Sequence, residues 1–247
     1  MVAIKIAEVS KYVEKNIGNF HSGRLESLKK LPLNKILKSK NPYLFKAKNI
    51  LLADELVKIL LDAYLSSQEE SIFGTFLEGL AIFINEKTYH GWKSSSRGID
   101  LEFNKDDIRY LVAIKSGPNW GNSGQIREMR DNFTKAKQTI RTGNLKLNIV
   151  AVNGCCYGQN KKQDRGEYFK YCGQKFWEFI SGNPALYLKI IKPLGYSARG
   201  KNDEFKEKCA QIVNKFTLEF SDKFVIDGKI NWDALVQFNS GETKLKL

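Results

Sequence analysis

The chain has 247 residues, 42% of them apolar and 12% aromatic, and its 40 Lys and Arg outnumber 27 Asp and Glu to give a net charge of +13. That apolar content fills one large core with accessory elements and excludes disorder and fibrous repeats; no apolar run reaches the roughly 18 residues of a membrane span. The basic excess favours a polyanionic partner such as nucleic acid.

Ile4, Ile6, Val9, Val13 and Ile17 trace one face of a first helix. Lys5, Glu8 and Lys11 fall in its first turns, so neither a signal nor a transit segment is expected. A basic stretch, Leu25 to Lys48, interleaves Lys29, Lys30, Lys35, Lys38, Lys40, Lys46 and Lys48 with Leu31, Leu33, Ile36 and Leu37, and Asn41-Pro42 in it reads as a turn. Leu51 to Leu65 predicts a strongly apolar helix and Ser71 to Asn85 another. Charge is uneven along this half: residues 1–50 hold 11 basic and 3 acidic side chains, residues 51–100 hold 4 and 8, and residues 101–150 return to 9 and 5. Acid between two basic windows suits a site that gathers phosphates yet keeps carboxylates nearby for a metal.

From Gly98 the period changes to two. Ile99, Leu101 and Phe103 alternate with Asp100 and Glu102, Asn104 to Asp107 turns the chain, and Tyr110 to Lys115 alternates again, which predicts a hairpin. After the loop Ser116 to Gly124, Ile126, Met129, Phe133, Ala136 and Ile140 step by three or four, one face of a helix that Gly143 ends. Leu145, Leu147, Ile149 and Ala151 restore alternation, a third strand that a crossover would pair in parallel. Helices follow around Phe176 to Ile180, Tyr187 to Ile191 and Lys206 to Phe220, then a short strand and turn at Phe224 to Gly228.

Cys155, Cys156, Cys172 and Cys209 show neither a CxxC pair nor a histidine at zinc spacing, and read as reduced structural thiols of an intracellular, cytoplasmic protein. His21 and His90 offer no motif spacing for a Ser/His or Cys/His hydrolase. With no repeat or long linker, the expected organisation is one domain over 1–247: a helical, basic region at 1–70, a core at 71–195, and C-terminal helix and strand elements at 196–247.

Asp100 and Lys115 lie on the two strands of the predicted hairpin. Phosphodiester hydrolysis needs a divalent cation held by carboxylates, an activated water and positive charge at the scissile phosphate, and an aspartate and a lysine meeting across a hairpin supply two of these. Glu78 is a lone carboxylate in the apolar run Phe76-Leu77-Glu78-Gly79-Leu80, where an unpaired charge is costly to bury. In the following loop, the Gly, Pro, Asn and Ser residues bring backbone amides toward a phosphate; Asn119, Asn122, Ser123 and Gln125 are expected DNA contacts, and Trp120 is expected to pack. Lys161, Lys162 and Arg165 stand in a polar segment with Gln159, Asn160 and Gln163 suited to reading a duplex.

The stretch Gly98-Ile99-Asp100-Leu101-Glu102-Phe103, then Tyr110-Leu-Val-Ala-Ile-Lys115-Ser-Gly-Pro-Asn-Trp-Gly-Asn-Ser123, resembles the PD-(D/E)XK nuclease core of type II restriction endonucleases. Gly173-Gln-Lys-Phe-Trp-Glu-Phe-Ile-Ser-Gly182 is also similar, and the resemblance covers residues 70–195. It implies an α/β fold with a mixed central β-sheet flanked by helices, behind a helical N-terminal region. One departure stands out: two residues before the lysine, where the family has Asp or Glu, this chain has Ala113. Some members take that carboxylate from the next helix, about a dozen residues past the lysine, and Glu128 fits the placement. The resemblance therefore implies Asp100 and Glu128 as ligands of Mg²⁺ with the Ile114 carbonyl, Lys115 beside the attacking water or the phosphate, and Glu78 as an upstream helical glutamate reaching the same site. Glu102 is a weaker candidate for support of that site.

The function so implied is sequence-specific, magnesium-dependent cleavage of both strands of duplex DNA, leaving 5′-phosphate ends, by a homodimer whose twofold axis matches its target. Two alternatives stay open: a structure-directed repair or recombination nuclease on the same core, and, because of Ala113, an inactive DNA-binding protein.

Overall fold

The computed structural model describes residues 4–143, 146–195 and 198–242. In chain order its elements are α1 (Ile6–Lys29), α2 (Leu33–Ser39), α3 (Pro42–Ala47), α4 (Ala53–Tyr89), β1 (Trp92–Lys93), β2 (Leu101–Lys105), β3 (Ile108–Lys115), α5 (Ser123–Gly143), β4 (Asn148–Cys155), β5 (Phe169–Cys172) and α6 (Gln174–Ser181). They continue with α7 (Leu186–Lys189), α8 (Ile191–Leu194), α9 (Ala198–Phe224), β6 (Val225–Ile226), β7 (Lys229–Ile230) and α10 (Trp232–Ser240). The described residues of 1–18 and 73–196 form one compact unit, and those of 19–72 and 197–247 a second.

The first unit is built on a mixed five-stranded sheet in the order β1-β2-β3-β4-β5, antiparallel through β3 and parallel from β3 to β5. The hairpin β2/β3 turns on Asp106 and Asp107, whose positive φ values of 52° and 57° suit a tight two-residue loop. On one sheet face Phe103 stacks with Tyr110 and with Tyr89 of α4 and meets Phe179 of α6 at a tilt, at 5.1 to 5.5 Å between ring centroids. On the opposite face Leu111, Ala113, Ile149 and Ala151 meet Met129, Phe133 and Ala136, the inward stripe of α5. Helices thus flank the sheet, and α5 is the crossover that makes β3 and β4 parallel.

Two elements differ from the sequence reading. The two helices expected at 51–65 and 71–85 are one, α4, of 37 residues. Its middle, Ser66 to Ser71, interrupts the apolar stripe but contains neither proline nor glycine, so the backbone ladder continues. Asn41-Pro42 starts α3: the Asn41 side chain accepts from the N–H groups of Tyr43 and Leu44, and proline takes the first helical position.

The second unit is mainly helical. Leu28, Ile36, Leu56, Leu61, Phe220 and Phe224 lie in its core. Arg24 donates to Glu69 at 2.6 Å while its guanidinium covers the Phe205 ring at 3.9 Å. Asn239 donates to the carbonyls of Leu37 and Lys40, which ties α10 to the end of α2. Among the described residues no helix is long and apolar enough to cross a membrane.

Candidate active site

Asp100 sits one residue before β2, opposite Ala113 of β3, and its Oδ2 accepts the Ile114 N–H at 2.6 Å. Its own N–H donates to the Val112 carbonyl at 2.9 Å, so backbone holds the aspartate from both sides. Lys115 ends β3. Burial raises the Glu78 carboxyl above its usual range, the charge of Asp100 raises it further, and Lys93 and Lys115 oppose the rise. Glu78, Asp100 and Lys115 are therefore one electrostatic group. Lys93 of β1 approaches Glu78 at 3.9 Å, a contact that no spacing in the chain announces.

Glu128 lies on the exposed side of α5 and faces Arg97 at 3.5 Å. The loop carrying Arg97 and Asp100 is seated against α5 at Gly98, whose φ is +74° and where a Cβ would strike the Asn132 side chain at 2.3 Å. Between loop and helix, Ser95, Arg97, Arg127, Glu128, Asn132 and Lys135 line an open cavity of about 570 Å³. Glu102 is buried and occupied: Arg109 contacts it at 3.3 Å and Ser94 donates to it at 2.7 Å.

The loop after Lys115 is fixed by the strands beside it. Cys156 and Tyr157 donate to the carbonyls of Lys115 and Ser116, and the Tyr157 ring lies close over Gly117, where a Cβ would displace it. Trp120 is half-buried, and its Nε1 donates to Asn153 Oδ1 at 3.1 Å while the Lys115 ammonium lies 5.1 Å from its ring centroid. Asn153, 1% exposed, is a residue of this site that the sequence reading does not single out. A signal for it exists, since it continues the inward alternation Leu147, Ile149, Ala151 with a polar residue. Cys155, Cys156 and Cys172 are buried nearby, and burial pushes the Cys155 thiol up to about 12.

Of the expected DNA contacts, Asn119, Asn122, Ser123 and Gln125 are exposed at the entry to α5. Asn122 and Gln125 cap it reciprocally, each side-chain oxygen accepting the other's backbone N–H at 3.0 Å. Lys161, Lys162 and Arg165 are exposed on a loop that Asn160 ties together, donating to the carbonyls of Lys162 and Lys170 and accepting from Arg165.

Magnesium asks for one or two carboxylates, with water and phosphate oxygens completing its shell. A half-buried carboxylate whose proton affinity a neighbouring aspartate raises, that aspartate being held by a backbone N–H, fits that demand, because a cation relieves the repulsion between the two charges. Among the described residues no group of three His, Cys, Asp or Glu side chains is arranged to hold a metal. The family model for type II restriction endonuclease EcoO109I matches residues 7–202. A search of curated proteins finds no match.

Proposed function

The chain belongs to the EcoO109I family of type II restriction endonucleases, nucleases that act on DNA, and on that premise we propose that it cuts both strands of a specific duplex sequence with magnesium, as a homodimer and with its two units acting as one nuclease domain. The observation that carries the proposal is the grouping of Glu78, Asp100 and Lys115 at the mouth of the β2/β3 hairpin.

In this reading Asp100 holds magnesium with the oxygen its Ile114 bond leaves over, Glu78 adds the second carboxylate, and the Ile114 carbonyl adds a neutral oxygen. Glu128 is the third carboxylate, standing in for Ala113. To serve, it must leave Arg97, and an exposed pair at 3.5 Å is weak enough to yield when phosphates claim the arginine. When bound, magnesium supplies Lewis-acid charge at the scissile phosphate. The Lys115 ammonium meets the negative charge that gathers on the phosphate oxygens and orients the attacking water. Asn119, Asn122, Ser123 and Gln125 position the duplex, and Lys161, Lys162 and Arg165 contact it from the β4–β5 loop. One site cuts one strand, so a symmetric target calls for two copies.

The test is digestion of a plasmid of known sequence with magnesium, followed by end sequencing. Discrete fragments with 5′-phosphate ends at one recurring sequence are expected. Random nicking or junction cleavage would replace this reading with a structure-directed nuclease. Ala113 and the Arg97–Glu128 pair favour a second reading, an inactive DNA-binding protein, for which specific binding without cleavage is the expected result.

A further inference from the structure

Ala113, Asn153 and Lys170 are register neighbours on β3, β4 and β5, a single row across the sheet. Around them Leu111, Ala151, Val152 and Cys155 are fully buried, so an asparagine in this row has to be accounted for. Both ends of its amide are used: Nδ2 donates to the Ala113 carbonyl at 3.2 Å, and Oδ1 accepts the Trp120 indole N–H at 3.1 Å. Lys170 donates to the Pro118 carbonyl at 2.7 Å and so fastens the same loop two residues earlier. The Trp120 ring held in this way lies 5.1 Å from the Lys115 ammonium, within the range of a cation–π contact.

We infer that Asn153 and Trp120 form a brace that positions Lys115 for phosphodiester hydrolysis, on a strand where Ala113 brings no carboxylate to its side. The inference rests on the nuclease reading and deepens it. A lysine has four rotatable side-chain bonds, and a carboxylate two residues earlier on the same strand face would lie next to its ammonium. With a methyl group at Ala113 that neighbour is missing, and the indole face takes over the task of holding the charge. A buried amide satisfied at both ends is stiff, so the ring it holds is a fixed platform. Asn153 and Trp120 are positioning residues; they act through Lys115.

The brace is read most directly in the ring current of Trp120. With lysines carrying ¹³C-methyl groups added by reductive methylation, the Lys115 resonance is the one absent from Lys115→Arg, and it is expected upfield of the exposed lysines. It should return to their position in Trp120→Leu and move toward it in Asn153→Leu, an apolar replacement of similar size. Trp120→Phe, which keeps a ring and loses the N–H, should give an intermediate shift and guards against misfolding of the leucine variants. In unmodified protein, single-turnover cleavage should fall about tenfold to a hundredfold in Asn153→Leu and Trp120→Leu, the scale of a small misplacement, while DNA affinity stays within about threefold. A Lys115 resonance already among the exposed lysines in wild type, or unmoved in Asn153→Leu, overturns the brace. So does a wild type that cuts alongside variants that cut equally fast. A wild type that does not cut, with the ring-current shifts as described, overturns the nuclease reading and leaves the brace as geometry.

Discussion

Glu78 carries an electrostatic penalty that a stability-driven sequence would not keep. Its folded pKa is raised by burial and then by Asp100, so its protonated form is favoured in the fold. Relative to the unfolded chain it therefore costs nothing below the pKa of a free glutamate, and the cost appears as pH rises through the raised folded value. Glu78→Gln should accordingly raise the melting temperature at pH 7 without metal and leave it nearly unchanged at pH 4. Magnesium should raise the melting temperature of wild type more than that of Glu78→Gln. Equal magnesium effects on both would remove Glu78 from the proposed ligand set. Of this constellation, Asp100, Lys115 and Glu78 are legible in the sequence, because a strand alternation or an apolar helix makes a charged residue conspicuous. Lys93 and Arg97 are not: each sits in a short polar segment, and only the folded loop brings them to Glu78 and Glu128.

At the scale of elements, α5 does two jobs. Its inward stripe covers the sheet face behind Asp100 and Lys115, while its first turns hold the capping pair at the end of the loop from β3 and bring Glu128 to Arg97 on the loop before β2. Losing the Asn122 cap in Asn122→Ala should cost about 1 kcal/mol. For a chain of this size that is a drop of roughly 2–4 °C in melting temperature, measurable by calorimetry. The hairpin, α5 and the parallel strand β4 are readable because period two gives way to a helical period and then returns. The strand β5 escapes because Phe169, Lys170, Tyr171 and Cys172 are too few and too mixed to alternate visibly. The continuity of α4 escapes for a different reason: a polar patch breaks an amphipathic stripe without breaking a helix.

For the whole molecule, net charge governs how it meets a polyanion. At +13 the chain should bind duplex DNA without sequence preference at low salt, and log affinity should fall linearly with log salt as condensed counterions are released. Lys161→Ala and Lys162→Ala should each flatten that slope by about one unit if these side chains neutralise phosphates. An unchanged slope would move the contact elsewhere, the basic stretch between Lys29 and Lys48 being the next place to look. That stretch is legible as a charge pattern, but its packing is not: Lys35 lies over Tyr64, Lys38 over Phe238 and Lys46 over Trp232, partners far away in the sequence. Affinity alone does not make a nuclease, and single-turnover cleavage of a duplex carrying the target, with magnesium, tests the proposed chemistry most directly. Asp100→Asn, Lys115→Ala and Glu128→Ala are each predicted to lose roughly two to three orders of magnitude in rate while still binding the duplex. Cleavage at the wild-type rate by Asp100→Asn or Lys115→Ala would contradict the assigned site.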